Sequence, residues 1–269
     1  MMARQPHESR KMPNAAVRMT VNGIDLEVLR RGSGPPLVIL HGLDSIDPRS
    51  PYLDLLGRDF EIIAPSSPGF GNSPRPDDFD TVYDLVHVHL AAIQALPYAK
   101  VALLGFSFGG WLAAEIAASC GDRLSKLILV DPVGIKIGDR ETRDILDFFN
   151  VNPAIVKRAR WHDEKNAPDY DAMTDEEIVI RARNWEALCR YAWQPFMYNP
   201  QLSRWLGAIQ VPTLVLWGAS DGVVKPDYGR AYAGLIPGAR FELIEAAGHH
   251  PEIERPEDFV ERVAAFLKD

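Results

Sequence analysis

Short apolar runs that alternate with helix-period segments constrain this chain more than any other feature. Residues 37–40, 61–64, 101–104, 127–130, 213–217 and 241–244 are four or five residues long, almost wholly apolar, and most are bounded by Gly or Pro. Continuous apolar runs of that length suit strands covered on both faces. Between them lie segments of helical period. Thr81 precedes Val82, Leu85, Val86, His89, Ile93 and Leu96, with Pro97 as a stop, and further helices are expected over 108–118, 228–235 and 256–267. Ahead of these, 19–29 alternates around Asn22-Gly23, a hairpin signal. The pattern predicts one α/β domain: a mainly parallel twisted sheet with helices on both faces, antiparallel strands at its start, and a ligand site at the carboxyl ends of the strands.

The alternation breaks over 135–208. No strand pattern occurs there. Thr174 and Glu177 form a capping box opening a helix towards Trp193, and Pro153, Pro168, Pro195 and Pro200 punctuate shorter helices. Four of the six tryptophans (Trp161, Trp185, Trp193 and Trp205) fall in this stretch, beside Phe148, Phe149, Tyr191, Phe196 and Tyr198. The expected organisation is a core of 17–134 and 209–269 carrying a helical cap, 135–208. Its aromatics form either a small core of their own or a wall over a pocket. Residues 1–16 are polar and aperiodic and are expected to be flexible.

The chemistry is concentrated at three turns. Gly105-Phe106-Ser107-Phe108-Gly109 lies between the run 101–104 and the helix beginning near Phe108. A serine on a sharp strand-to-helix turn needs tiny neighbours so that strand and helix can pass closely, and Gly105, Gly109 and Gly110 supply that room. The turn places the hydroxyl at a helix N-terminus, which favours a developing oxyanion. Serine is a poor nucleophile without a base, and in folds with this turn the acid and then the histidine follow it in the chain. His162, His249 and His250 follow Ser107. His162 reads as a surface side chain, whereas His249 and His250 come after the run 241–244 and a small-residue turn. Spacing does not choose between the pair; His249, directly after Gly248, is preferred. Asp221, after the run 213–217 and Gly218-Ala219-Ser220, is the expected acid, with Asp131 as its competitor.

A second oxyanion donor is expected from the loop after 37–40, so the backbone N–H groups of Leu43 and Phe108 are assigned to that role. His41, preceding the nucleophile, reads as a structural hydrogen-bonder. His87 and His89 point apart on a helix and form no metal pair. No cofactor or metal is called for. An apolar pocket is expected from Phe106, Phe108, Val223, Val224 and the aromatics of 135–208, Trp185 and Trp193 among them. Asp44 and Asp47 near its mouth would deter anionic substrates unless they belong to an exposed loop face.

These motifs resemble the α/β-hydrolase superfamily, in its branch with a helical cap, over 17–268. The matching stretches are Leu37-Val38-Ile39-Leu40-His41-Gly42, Ser67-Pro68-Gly69-Phe70-Gly71-Asn72-Ser73, the serine elbow, Gly218-Ala219-Ser220-Asp221, and Gly248-His249 through Glu254-Arg255-Pro256. The last aligns His249 with the family's base; the Ser67–Ser73 segment resembles its structural turn after the fourth strand. Epoxide hydrolases and haloalkane dehalogenases carry Asp where this chain has Ser107, which disfavours their chemistry. Carbon–carbon hydrolases of ring-cleavage products typically follow the His-Gly pair with a glycine-rich loop, where this chain has Leu43-Asp44-Ser45-Ile46-Asp47. The resemblance implies a carboxylesterase acting on small to medium apolar substrates. A carbon–carbon hydrolase or cofactor-free perhydrolase with the same triad, or a ligand receptor with vestigial hydrolysis, are the alternatives.

Bulk composition narrows the partners. A formal charge of -8 would repel nucleic acid and anionic membrane surfaces, leaving a small-molecule substrate. Two cysteines suggest neither a disulfide framework nor a thiolate metal site, and 1–19 holds no apolar run of signal or membrane-span length. A soluble cytoplasmic monomer or homodimer is expected.

Overall fold

The computed structural model describes residues 16–139 and 141–269; apart from Ala16, the segment expected to be flexible lies outside them. In chain order the elements are β1 (Ala16–Val21), β2 (Ile24–Arg31), β3 (Pro36–Leu40), α1 (Pro51–Leu56), β4 (Glu61–Pro65), α2 (Val82–Ala95), β5 (Val101–Phe106), α3 (Ser107–Cys120), β6 (Leu124–Val130), α4 (Pro153–Arg160), α5 (Asp175–Ala192), α6 (Leu202–Trp205), β7 (Thr213–Gly218), α7 (Pro226–Gly234), β8 (Arg240–Ile244), α8 (Pro251–Glu254) and α9 (Pro256–Lys268). The strands form one sheet in the order β1-β2-β4-β3-β5-β6-β7-β8. The β1–β2 and β2–β4 pairs are antiparallel and the rest parallel. Helices α1, α4, α6 and α8 are too short for their period to stand out in the sequence.

The interior strands show why their runs carry no polar positions. Val38 and Leu40, Leu103, Leu127 and Leu129, and Val215 and Trp217 face the core shared with α2, α3 and α7. Their neighbours Leu37 and Ile39, Leu104, Ile128, and Leu214 and Leu216 face the core of α1 and α9. Each residue is covered on one side or the other, the two-residue period of a strand buried on both faces.

Chain order reverses about β3, which has β4 on one side and β5 on the other. The carboxyl ends of β3 and β5 flank the crevice that such a reversal opens. Two glycines bring the backbones together there. A Cβ on Gly105 would stand 2.3 Å from the Gly109 carbonyl oxygen, and one on Gly109 would stand 2.3 Å from the carbonyl oxygen of His41 and 2.4 Å from that of Leu40. Gly109→Ala should therefore lower stability by about 2–4 kcal/mol. A urea midpoint equal to the parent's would show that α3 is free to move off β3.

The loops after β3 and β4 are tied through a buried chain of polar groups. The Ser67 N–H donates to His41 Nε2 (2.9 Å), and the Ser67 hydroxyl lies 2.9 Å from His89 Nε2. Because Nε2 of His41 accepts, its Nδ1 carries the proton and donates to the Gly42 carbonyl, 2.8 Å away. Burial lowers the pKa of His41 to about 4 and of His89 to about 3. The unfolded chain binds protons near pH 6.5 that the native state refuses, so stability is full above that value and falls as pH drops towards 4 and 3. The expected slope approaches about 1.4 kcal/mol per pH unit for each histidine. His89→Gln should flatten it between pH 6 and 4 in urea titrations; an unchanged slope would assign the acid sensitivity elsewhere.

Candidate active site

Ser107 follows β5 and begins α3 with φ of 47°, a left-handed conformation that costs a non-glycine residue about 1–3 kcal/mol. The turn is held by the packing of α3 against β3, and it turns the hydroxyl out of the core. Asp221 follows β7 and His249 follows β8, both in short turns at the same edge of the sheet. The three side chains, distant in sequence, meet there. His249 Nε2 lies 2.9 Å from Ser107 Oγ, and His249 Nδ1 lies 2.7 Å from Asp221 Oδ2. Asp221 and His249 are buried, and Asp221 Oδ1 also accepts the N–H groups of Val223 (2.8 Å) and Val224 (3.1 Å). A carboxylate so held fixes the imidazole with its proton on Nδ1, leaving Nε2 free to take a proton from the hydroxyl.

The competing residues are placed elsewhere. His250 turns away from Ser107: its ring stacks on Trp161 at 4.6 Å, its Nε2 accepts from Arg160 (Nη2, 2.7 Å), and its Nδ1 lies 3.3 Å from Glu252 Oε1. Burial and then the Arg160 charge hold its pKa well below the ordinary value. His162 is exposed and lies 2.8 Å from Ser220 Oγ through Nδ1. Asp131 accepts from the Gly218 N–H (2.9 Å) rather than from the histidine. Asp131, Asp221 and His249 bring one potential metal-ligand atom each within 4.8 Å of one another, yet the Asp221–His249 hydrogen bond already occupies the imidazole Nδ1.

Leu43 and Phe108 border the cavity into which Ser107 opens. Among the described residues no acceptor pairs with either backbone N–H, and that of Phe108 is left free by its place in the first turn of α3. The Phe108 side chain itself is core, packed against Phe70 and Trp111. The cavity is about 420 Å³, and Phe106, Trp185 and Val223 line it together with Phe148, Val156 and Met197. Two expected lining residues do not. Trp193, at the end of α5, is 53% exposed and faces a separate open groove of about 1210 Å³ beside Trp205. Val224 is wholly buried; its N–H serves Asp221 and its carbonyl accepts from Trp217 Nε1, so its backbone supports the acid while its side chain fills the core.

Most of the site's polar frame was not legible in the sequence. The end of α4 runs across the Asp221 and His249 turns as a strap. The Ala159 carbonyl accepts from Gly222 N–H (2.9 Å), and the Arg160 carbonyl accepts from His249 N–H (2.8 Å). The Arg160 guanidinium joins His250 to Asp44, the residue after Leu43, and Arg181 Nη1 donates to the other oxygen of Asp44 at 2.9 Å. Although burial pushes the Asp44 carboxyl up, Arg160 and Arg181 hold it well below the usual carboxylate range. Asp47 pairs with Arg49. The expectation that Asp44 and Asp47 deter anions is corrected, because both charges are matched by guanidinium groups. Ser45 and Asn184, 139 residues apart, tie the same loop to α5. No spacing rule joins residues so distant; the one available signal was the abundance of arginine in 135–208.

Among the described residues no helix is long and apolar enough to cross a membrane. The chain matches the sequence model of the alpha/beta hydrolase family over residues 37–262. It is 27% identical to a 2-hydroxy-6-oxo-6-(2'-aminophenyl)hexa-2,4-dienoic acid hydrolase of Metapseudomonas resinovorans, over 96% of this chain and 93% of that protein. Among solved structures, a meta-cleavage product hydrolase of Pseudomonas fluorescens IP01 superposes with a TM-score of 0.71 at 19% identity, covering 94% of this chain and 97% of the other. A thermophilic esterase of Thermogutta terrifontis superposes with a TM-score of 0.67 at 23% identity, over 94% and 97% of the two chains. The sheet order, the strand-to-helix serine and the match over most of its length agree: this chain belongs to the alpha/beta hydrolase family.

Proposed function

We propose that the protein is a serine hydrolase that cleaves ester-like bonds of small to medium substrates through an acyl-enzyme. The observation that carries this reading is the continuous hydrogen-bonded series from Ser107 Oγ through His249 to Asp221, at 2.9 and 2.7 Å, beside two unpaired backbone N–H groups. Ser107 Oγ attacks the acyl carbon as His249 Nε2 takes its proton. The oxyanion accepts from Leu43 and Phe108 N–H. The imidazolium, stabilised by Asp221, then protonates the leaving group, and water repeats the cycle on the acyl-enzyme. Phe106, Phe148, Trp185 and Val223 offer apolar walls for the acyl or alcohol part.

Carbon–carbon cleavage by the same triad is a second reading, and one observation favours it. Arg49, Arg160 and Arg181 set three positive charges in the cavity wall against the carboxylates of Asp44 and Asp47, while burial pushes the Glu252 carboxyl up to about 8. That wall suits a substrate carrying its own carboxylate, and the relative from Metapseudomonas resinovorans is named for a dienoic acid.

A fluorophosphonate should label Ser107 and no other residue, and Ser107→Ala should lower turnover by roughly 10⁴-fold or more. Hydrolysis of p-nitrophenyl acetate and butyrate supports the esterase; turnover confined to a vinylogous diketone acid supports the carbon–carbon enzyme. Folded protein with an unlabelled Ser107 would overturn both. Because Arg160 holds the Leu43 loop through Asp44 and the base turn through its carbonyl, Arg160→Ala should lower kcat roughly 10–100-fold even on a neutral ester, where charge recognition plays no part. An unchanged kcat with a raised KM for carboxylate-bearing substrates alone would limit Arg160 to binding.

A further inference from the structure

The nucleophile–base–acid arrangement leaves two buried carboxyl groups unused, Asp131 and Glu252, and Asp131 is the one that clusters with Asp221 and His249. Asp131 follows β6, is 1% exposed, and holds φ of 45°, a left-handed conformation uncommon in a residue with a side chain. Its N–H donates to the Leu216 carbonyl on β7 (3.0 Å) and its Oδ1 accepts from Gly218 N–H (2.9 Å), so backbone on both sides aims the side chain at the acid turn. Its carboxyl lies within 4.8 Å of those of Asp221 and of His249, and among the described residues no donor reaches its buried Oδ2.

Two carboxylates this close in a dry interior do not both ionise. Asp221 keeps the charge because it accepts three N–H donors, from Val223, Val224 and His249, whereas Asp131 accepts one. The groups acting on Asp131 offer no compensating cation beyond His249 once protonated: Asp221 lies beside it, and Glu252 from α8 adds a further acidic group. We infer that Asp131 is a positioning residue that carries one proton shared with Asp221, and that it stands ready to supply the negative charge beside His249 when Asp221 cannot. Burial and the Asp221 charge both push its carboxyl well above the usual range, in keeping with that assignment. The consequence for the base is direct. With one charge in the pair, the imidazolium formed during attack is balanced; with two, His249 would hold its proton too tightly to act as a base near neutral pH.

The inference rests on the serine-hydrolase reading for its kinetic arm, so a second arm is independent of activity. Asp131→Asn keeps the shape and the neutrality, so its effect on kcat with Asp221 in place should be at least tenfold smaller than its effect in the Asp221→Asn background. Asp221→Asn should lower kcat roughly 10²–10⁴-fold. Adding Asp131→Asn to it should cost at least a further tenfold, because the reserve charge is then gone, and this non-additivity is the signature sought. Equal effects of Asp131→Asn in both backgrounds, or a downward shift of the acid limb in the single variant, would overturn the inference. Carbon NMR of protein labelled at the aspartate side-chain carboxyl, with no substitution, should find one aspartate protonated at pH 7. That arm survives if the variants fail to fold or the esterase reading is wrong. Finding every aspartate ionised at pH 7 would overturn the shared proton outright.

Discussion

The close passage of α3 over the end of β3 sets the geometry on which the other features of the site depend. With hydrogen atoms on Gly105 and Gly109 the backbones of β5, α3 and the β3 loop approach to a distance that a single methyl group would forbid. That contact holds Ser107 in a left-handed conformation, and Leu43 and Phe108 border the same cavity as its hydroxyl. Strain at the nucleophile is sustained by the packed sheet beneath it, where Leu40, Leu103 and Leu129 are wholly buried. The turn is therefore pre-formed, and donors that need no rearrangement at the moment of reaction stabilise a developing charge best.

Around that fixed point the electrostatics are layered. Below the imidazole, Asp131 and Asp221 are two acids with unequal hydrogen bonding, and the inequality places the charge on Asp221. Above it, Arg160 and Arg181 converge on Asp44 and leave an excess of positive charge in the cavity wall. The backbone of the α4 end links the layers, since it accepts hydrogen bonds from Gly222 and His249 while the Arg160 side chain reaches Asp44 in the loop after β3. The inserted helices thus supply part of the polar frame around Ser107, Asp221 and His249 as well as apolar walls of the cavity.

The elements legible in the sequence were those whose signal is local. Interior strands announced themselves as unbroken apolar runs because both faces are covered, and the helical spacing after Thr81 and the capping box at Thr174 marked α2 and α5. The short helices α1, α4, α6 and α8 span eight residues or fewer, too little for a period to emerge. Among pocket residues, Trp185 and Trp193 looked alike in the sequence. Only the packing of α5, which turns Trp185 inward against Phe148 and leaves the helix end in an open groove, separated them.

The amino-acid order by itself determined the alternation of strand and helix and the serine turn with its flanking glycines, because each rests on backbone sterics or periodicity within a few residues. Tertiary structure decided which of two aspartates meets the imidazole, that His250 serves Arg160, and that Asp44 is neutralised by arginines 116 and 137 residues away. Charge compensation and hydrogen bonding act through space at about 3 Å, and no pattern along the chain encodes which distant side chains come within that reach.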